Sequence, residues 1–155
     1  MKKLRMVKFL VDRGDGQPGM SLDIPAESVF GLFRPSGTPK VYTMNGREVI
    51  EFGSTGFFGS LLVDVSSGSI LERVQDATNL SMVNTSLSAF NNCLEMFSEY
   101  FPLDQIDDED ASIERNARVA REIESDVKRI DPEAYEEGSF WYEVRWSVAI
   151  GDFED

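Results

Sequence analysis

The side chains able to do chemistry are few, and one type is missing altogether. The 155-residue chain has no histidine and one cysteine, Cys93. That removes the commonest general base and the commonest transition-metal ligand, and it excludes zinc sites of the usual Cys/His kind. Cys93 lies inside an apolar-periodic stretch with no histidine to activate it, so it reads as a buried structural thiol. Gly14, Gly16 and Gly19 match G-x-G-x-x-G by letter. However, Pro18 interrupts the last turn and no helix-periodic run follows, so the phosphate-binding geometry is missing. Gly53, Gly56 and Gly59 lack the Gly-Lys-Ser/Thr ending of a P-loop and predict a β-bulge or bend. The run Asp107, Asp108, Glu109, Asp110 raises calcium, but it has neither the alternating spacing nor the central glycine of an EF-hand loop. It reads as a solvated acidic loop. Asn79-Leu80-Ser81 and Asn84-Thr85-Ser86 are glycosylation sequons by letter; without a secretory signal they read as a turn and a helix cap. Trp141 is expected in the core, whereas Trp146 stays open between core and interface, where tryptophan is enriched. The residues carried forward for partner binding are therefore Asp107, Asp108, Glu109, Asp110 and Trp146. No catalytic residue, cofactor or metal is expected.

The element that must organise the rest is Asn84 to Phe101. Leu87, Phe90, Leu94, Phe97 and Phe101 recur at steps of three and four and share one side of a helix. Asn84, Thr85 and Ser86 offer side-chain acceptors for its first turn, and Pro102 stops it. Such a face needs a broad apolar surface to lie on. The preceding segment supplies one: Val41–Met44, Glu48–Phe52, Leu61–Val65 and Ile70–Val74 predict a four-strand antiparallel meander. Asn45-Gly46 is a strong hairpin signal, and Ser66 to Ser69 is a second turn. Upstream, residues 1–13 fit neither period, Gly14 to Pro25 reads as a loop, and Arg34 to Gly37 reads as a turn. Downstream, Ile113, Ala117, Ala120, Ile123, Val127 and Ile130 predict a second helix ending near Asp131-Pro132. Residues 139–150 satisfy both periods: Val144, Trp146, Val148 and Ile150 as a strand, or Phe140, Trp141, Val144 and Val148 as a helix capped by Ser139.

Composition bounds the classes open to the chain. Hydrophobic content of 41% is a globular value, and the length predicts one domain over 1–155. A single cysteine favours a reducing compartment, and no apolar run approaches the roughly 20 residues of a membrane span. The N-terminal segment makes a poor signal peptide, so a cytoplasmic location is expected. Net charge is −13, and residues 104–155, with 6 basic and 17 acidic side chains, hold −11 of it. That field repels nucleic acid and anionic membrane and speeds encounter with a basic partner.

The order of segments then resembles a known family. Leu62-Val63-Asp64-Val65-Ser66-Ser67-Gly68-Ser69-Ile70 runs into Met82-Val83-Asn84-Thr85-Ser86-Leu87-Ser88-Ala89-Phe90. Ile130-Asp131-Pro132-Glu133-Ala134 and Ser139-Phe140-Trp141 follow. This is similar to the fourth, actinobacterial group of the SUKH superfamily, over roughly residues 20–150, with Thr85 where serine is usual. The resemblance implies an α+β domain: a central, mostly antiparallel sheet (a meander) packed on one side by helices. It also implies a non-enzymatic immunity protein that binds and neutralises a cognate polymorphic toxin, nuclease or deaminase, in the producing cell. A basic toxin is the expected partner, with a homodimer through a sheet edge as a further possibility. A regulatory scaffold module and an enzyme built on carboxylates alone are the rival readings.

Overall fold

A computed structural model describes residues 3–14, 16–56, 59–74 and 79–153. Strand β1 (Met6–Val11) pairs antiparallel with β2 (Met20–Pro25) as a separate two-stranded ribbon. Strands β3 (Arg34–Met44), β4 (Arg47–Ser54), β5 (Gly59–Asp64), β6 (Ile70–Val74) and β7 (Ser81–Asn84) form one antiparallel meander in that order. Helices α1 (Leu87–Tyr100), α2 (Glu109–Ile130) and α3 (Phe140–Ala149) complete the α+β fold, with a short 3-10 turn at Pro132–Ala134.

The meander has one strand more than its apolar pattern indicates, and the expected loop at Gly14–Pro25 is half strand. Leu22 and Ile24 are buried while Ser21 and Asp23 are exposed, the alternation of a half-buried strand. The turn expected at Arg34–Gly37 is instead taken into β3, where the register slips between Pro35 and Lys40. The Asn45-Gly46 hairpin is present, with φ of 51° and 75°, the two positive angles that a type I′ turn requires. The glycine-rich stretch carries the expected bulge, a register slip between Glu51 and Gly53. There a Cβ on Gly53 would lie 2.4 Å from Phe33 Cε1, so the bare backbone is what lets the Phe33 ring close on the sheet. Phe57 and Phe58 of that stretch lie outside the described residues.

Helix α1 lies on one sheet face. Phe90, Cys93, Leu94 and Phe97 are fully buried against Ile50, Phe52, Leu61, Val63, Ile70 and Val83. The rings of Phe33, Phe52 and Phe90 meet at about 6 Å, and those of Phe97 and Phe101 stack at 4.4 Å. A second, smaller cluster of Val49, Leu62 and Leu71 occupies the opposite face. On α2, burial begins only at Val119 and continues through Ala120, Ile123 and Val127. Ile113, expected in this stripe, is 57% exposed because the first turns of α2 extend past the core. Residues 139–150 resolve as helix: Ser139 Oγ accepts from Tyr142 N at 3.4 Å, and Trp141, Val144 and Val148 turn inward.

Of the three residues expected to cap α1, only Ser86 does so, accepting from Ala89 N at 3.0 Å. Asn84 and Thr85 are committed elsewhere. Asp131, 4% exposed, accepts from Asn84 Nδ2 at 3.0 Å and Thr85 N at 2.8 Å on one oxygen, and from Thr85 Oγ1 at 2.9 Å on the other. Asn84 Oδ1 in turn accepts from Trp141 Nε1 at 2.9 Å. The end of β7, the start of α1, the end of α2 and the first turn of α3 thus meet on one carboxylate–amide pair. Replacing Asp131 with alanine would leave three donors without this acceptor, the Asn84 amide fully buried and the two of Thr85 partly so, a loss of about 3 kcal/mol. Urea unfolding of Asp131→Ala against the parent chain measures it, and a change below about 1 kcal/mol would contradict the brace.

Candidate partner-binding surface

The chemistry-bearing residues do not assemble into a reaction centre. Among the described residues no group of three or more His, Cys, Asp or Glu side chains is placed to hold a metal ion. Gly14 and Gly16 take positive φ in a turn that leads into β2 and not into a helix, so no phosphate cradle forms. Asn84 is fully buried, with both ends of its amide engaged. It serves as a brace and neither as a cap nor as a glycan acceptor. Cys93 is buried, with Asn84 Nδ2 at 3.6 Å from its sulfur.

Burial pushes the Cys93 thiol up from its ordinary value near 9 to about 12, which outweighs the Asn84 contact favouring the thiolate. Burial, then hydrogen bonds to Asp126 and Glu124, raise the hydroxyls of Tyr100 and Tyr135 as well. The folded state therefore holds these protons more tightly than the unfolded chain. For Cys93 the full stability is present below pH 9 and is lost as pH rises toward 12, by up to about 1.4 kcal/mol per pH unit.

The acidic run straddles the entry to α2: Asp107 and Asp108 end the expected loop, and Glu109 and Asp110 are already helical. Asp108 is the N-cap, accepting from Asp110 N at 3.0 Å and Ala111 N at 3.4 Å, and Glu109 and Asp110 fill the first turn. Carboxylates there face the positive end of the helix dipole and satisfy its free N–H groups. All four side chains of Asp107, Asp108, Glu109 and Asp110 remain exposed to solvent.

Trp146 is 44% exposed and belongs to a different surface. On the outer side of α3, Tyr142 lies 6.1 Å from Trp146 and 5.8 Å from Tyr135, ring centre to ring centre. The Arg145 guanidinium sits 4.0 Å above the Trp146 ring, and Lys128 Nζ lies 5.0 Å from the Tyr135 ring centre. Glu124 ties the ladder from below. It accepts from Lys128 Nζ at 2.9 Å and Tyr135 Oη at 2.8 Å, and these two bonds, in that order, hold its carboxyl below the usual range. Arg145 Nε stands 3.2 Å from Glu124 Oε1, an ion pair off the line of a hydrogen bond. Tyr, Trp and Arg with fixed rotamers are the side chains that dominate protein interfaces.

The structure does not join the two candidate patches. Helix α3 runs back along α2, with Arg145 beside Glu124 and Gly151 close to Asn116. Asp108 is eight residues short of Asn116, about 12 Å further along the axis. Trp146 stood out in the sequence by its type and is exposed here, whereas Tyr135, Tyr142, Arg145 and Glu124 around it did not stand out. The four-residue step from Tyr142 to Trp146 is a helical signal, hidden while the segment also read as a strand.

Residues 34–146 match the family described as SUKH-4 immunity protein, and the chain belongs to that family. Neither the curated proteins nor the solved structures contain a match. No helix among the described residues is long and apolar enough to cross a membrane.

Urea midpoints at pH 7, 9 and 10.5 should fall steeply above pH 9, and Cys93→Ala should flatten part of that decline. An equal slope in the variant would remove Cys93 from the alkaline loss.

Proposed function

We propose that the chain, acting as one domain, is a cytoplasmic immunity protein that binds a cognate toxin of nuclease or deaminase type and blocks it without catalysis. The observation that carries this reading is membership of the immunity family over residues 34–146. The Tyr135–Tyr142–Trp146 ladder, with Arg145 and Lys128 stacked on it, supports recognition of a protein surface. The charge distribution supports a basic partner. A net −11 over residues 104–155 attracts a phosphate-binding surface at long range and raises its association rate.

The test is a pull-down with the tagged chain at low and high salt, followed by co-expression of the recovered protein's toxic domain with and without this chain. Recovery of a basic nuclease-like or deaminase-like protein, together with rescue of growth, is the expected result. Recovery of a kinase or cell-envelope complex without rescue would move the assignment to a regulatory scaffold.

The two surfaces should separate kinetically. Trp146→Ala should weaken partner binding by roughly 2 kcal/mol, about thirtyfold, mainly in the dissociation rate, with a smaller loss of folding stability, about 1 kcal/mol, from the Arg145 and Tyr142 contacts. Neutralising the acidic turn (D107N, D108N, E109Q and D110N together) keeps a capping side chain at position 108. It should lower the association rate and its salt dependence while sparing dissociation. Surface plasmon resonance at two salt concentrations reads both. Unchanged association after neutralisation would remove the acidic turn from the account.

A further inference from the structure

A cleft of about 450 Å³ opens between strands β6 and β7 and the first turns of α3, on the side of α3 away from the ladder. Its walls are apolar, from Val74, Phe140, Val144 and Phe153, and two carboxylates, Glu72 and Glu143, line it. Its size is that of small-ligand sites. Glu72 stands on the core-facing side of β6, opposite Leu61. A Cβ on Gly59 would lie 2.7 Å from Glu72 Oε2, so the glycine leaves room for the carboxylate. Burial raises the Glu72 carboxyl above its ordinary range, and a hydrogen bond with Thr55 offsets part of that rise. Among the described residues neither Glu72 nor Glu143 is ion-paired, and no lysine or arginine lines the cleft.

We infer that this cleft is the seat of an arginine side chain contributed by the bound partner protein, its stem along Val74 and Val144 and its guanidinium facing Glu72 and Glu143. The chemistry selects that occupant. A partly desolvated carboxylate with no cation of its own favours a positive group, and phenylalanine faces take a planar guanidinium better than a hydrated ammonium. A carboxylate accepts a guanidinium on both oxygens, which adds direction to charge. The cleft thus deepens the immunity reading, on which it rests, by assigning a second contact to the same partner.

The experiment is an amide NMR titration of the intact chain with three probes: acetyl-arginine amide, acetyl-lysine amide and acetyl-norleucine amide. Arginine should shift the resonances of Glu72, Val74, Phe140, Glu143 and Ser147 saturably, with lysine weaker and norleucine weaker by roughly tenfold. Glu72→Gln keeps the shape and should weaken the arginine response by at least roughly fivefold, whereas Glu122→Gln on exposed α2 should leave it unchanged. Equal binding of norleucine, no saturable shift, or an unaffected Glu72→Gln variant would each overturn the assignment. If arginine fails to bind while the chain still rescues growth, the cleft is wrong and immunity stands. If arginine binds but no toxin is neutralised, the immunity reading fails by itself.

Discussion

The placement of the helices on the sheet depends on where Asp131 puts its two oxygens. Apolar burial holds α1 on the meander, but burial is non-directional and tolerates sliding and rotation. A carboxylate that receives Asn84 Nδ2, Thr85 N and Thr85 Oγ1 has far fewer solutions. It fixes the end of α2 against the junction of β7 and α1, and Asn84 Oδ1 then fixes the Trp141 indole and with it α3. The network is satisfied throughout, which is the condition under which a buried polar group specifies a fold and does not weaken it. Thr85 fills its position without loss, because the hydroxyl that donates to Asp131 is common to serine and threonine.

Once α3 is fixed, its surfaces follow from a 100° step per residue. Trp141, Val144 and Val148 point to the core. Tyr142, Arg145 and Trp146 emerge on one flank, beside α2, and Phe140, Glu143 and Ser147 on the other, beside β6 and β7. One ten-residue helix therefore carries both the ladder and a wall of the cleft. The core-facing tryptophan anchors the helix so that the exposed one has a defined position. In the proposed binding role, such preorganisation keeps the entropic cost low.

What the sequence makes legible is local. The Asn45-Gly46 hairpin and the α1 stripe need nothing but chain chemistry and period, and both form where the pattern puts them. The errors are tertiary. Strand β2 hides behind a Gly/Pro-rich turn, and its short Leu22/Ile24 alternation gains meaning only once β1 lies beside it. Ile113 continues a helical period beyond the edge of the core, where the period no longer reports burial. Asn84 and Thr85 look like caps because capping and bracing use the same short polar groups. Only the arrival of Asp131, 46 residues on from Thr85, decides between them. Trp146 was visible as a residue type, whereas the ladder beside it joins Tyr142 of α3 to Tyr135, which follows the 3-10 turn, and only the fold sets those two side by side.

The separation of acid from ladder has a kinetic logic. Charges on the exposed turn at 107–110 are screened within about 8 Å at physiological salt and make poor short-range contacts; in the proposed role they act with the rest of the C-terminal half to orient a basic partner. Stacked aromatics contribute little at a distance and much once water is excluded. Under the proposed immunity role, an inhibitor of a nucleic-acid-directed toxin gains from fast capture and then from slow release. Residues placed about a dozen ångströms or more apart along α2 and α3 can be tuned for one without disturbing the other, since distant sites act nearly independently. The Asp131 brace makes that division possible by holding both helices in one frame while contributing nothing to either surface.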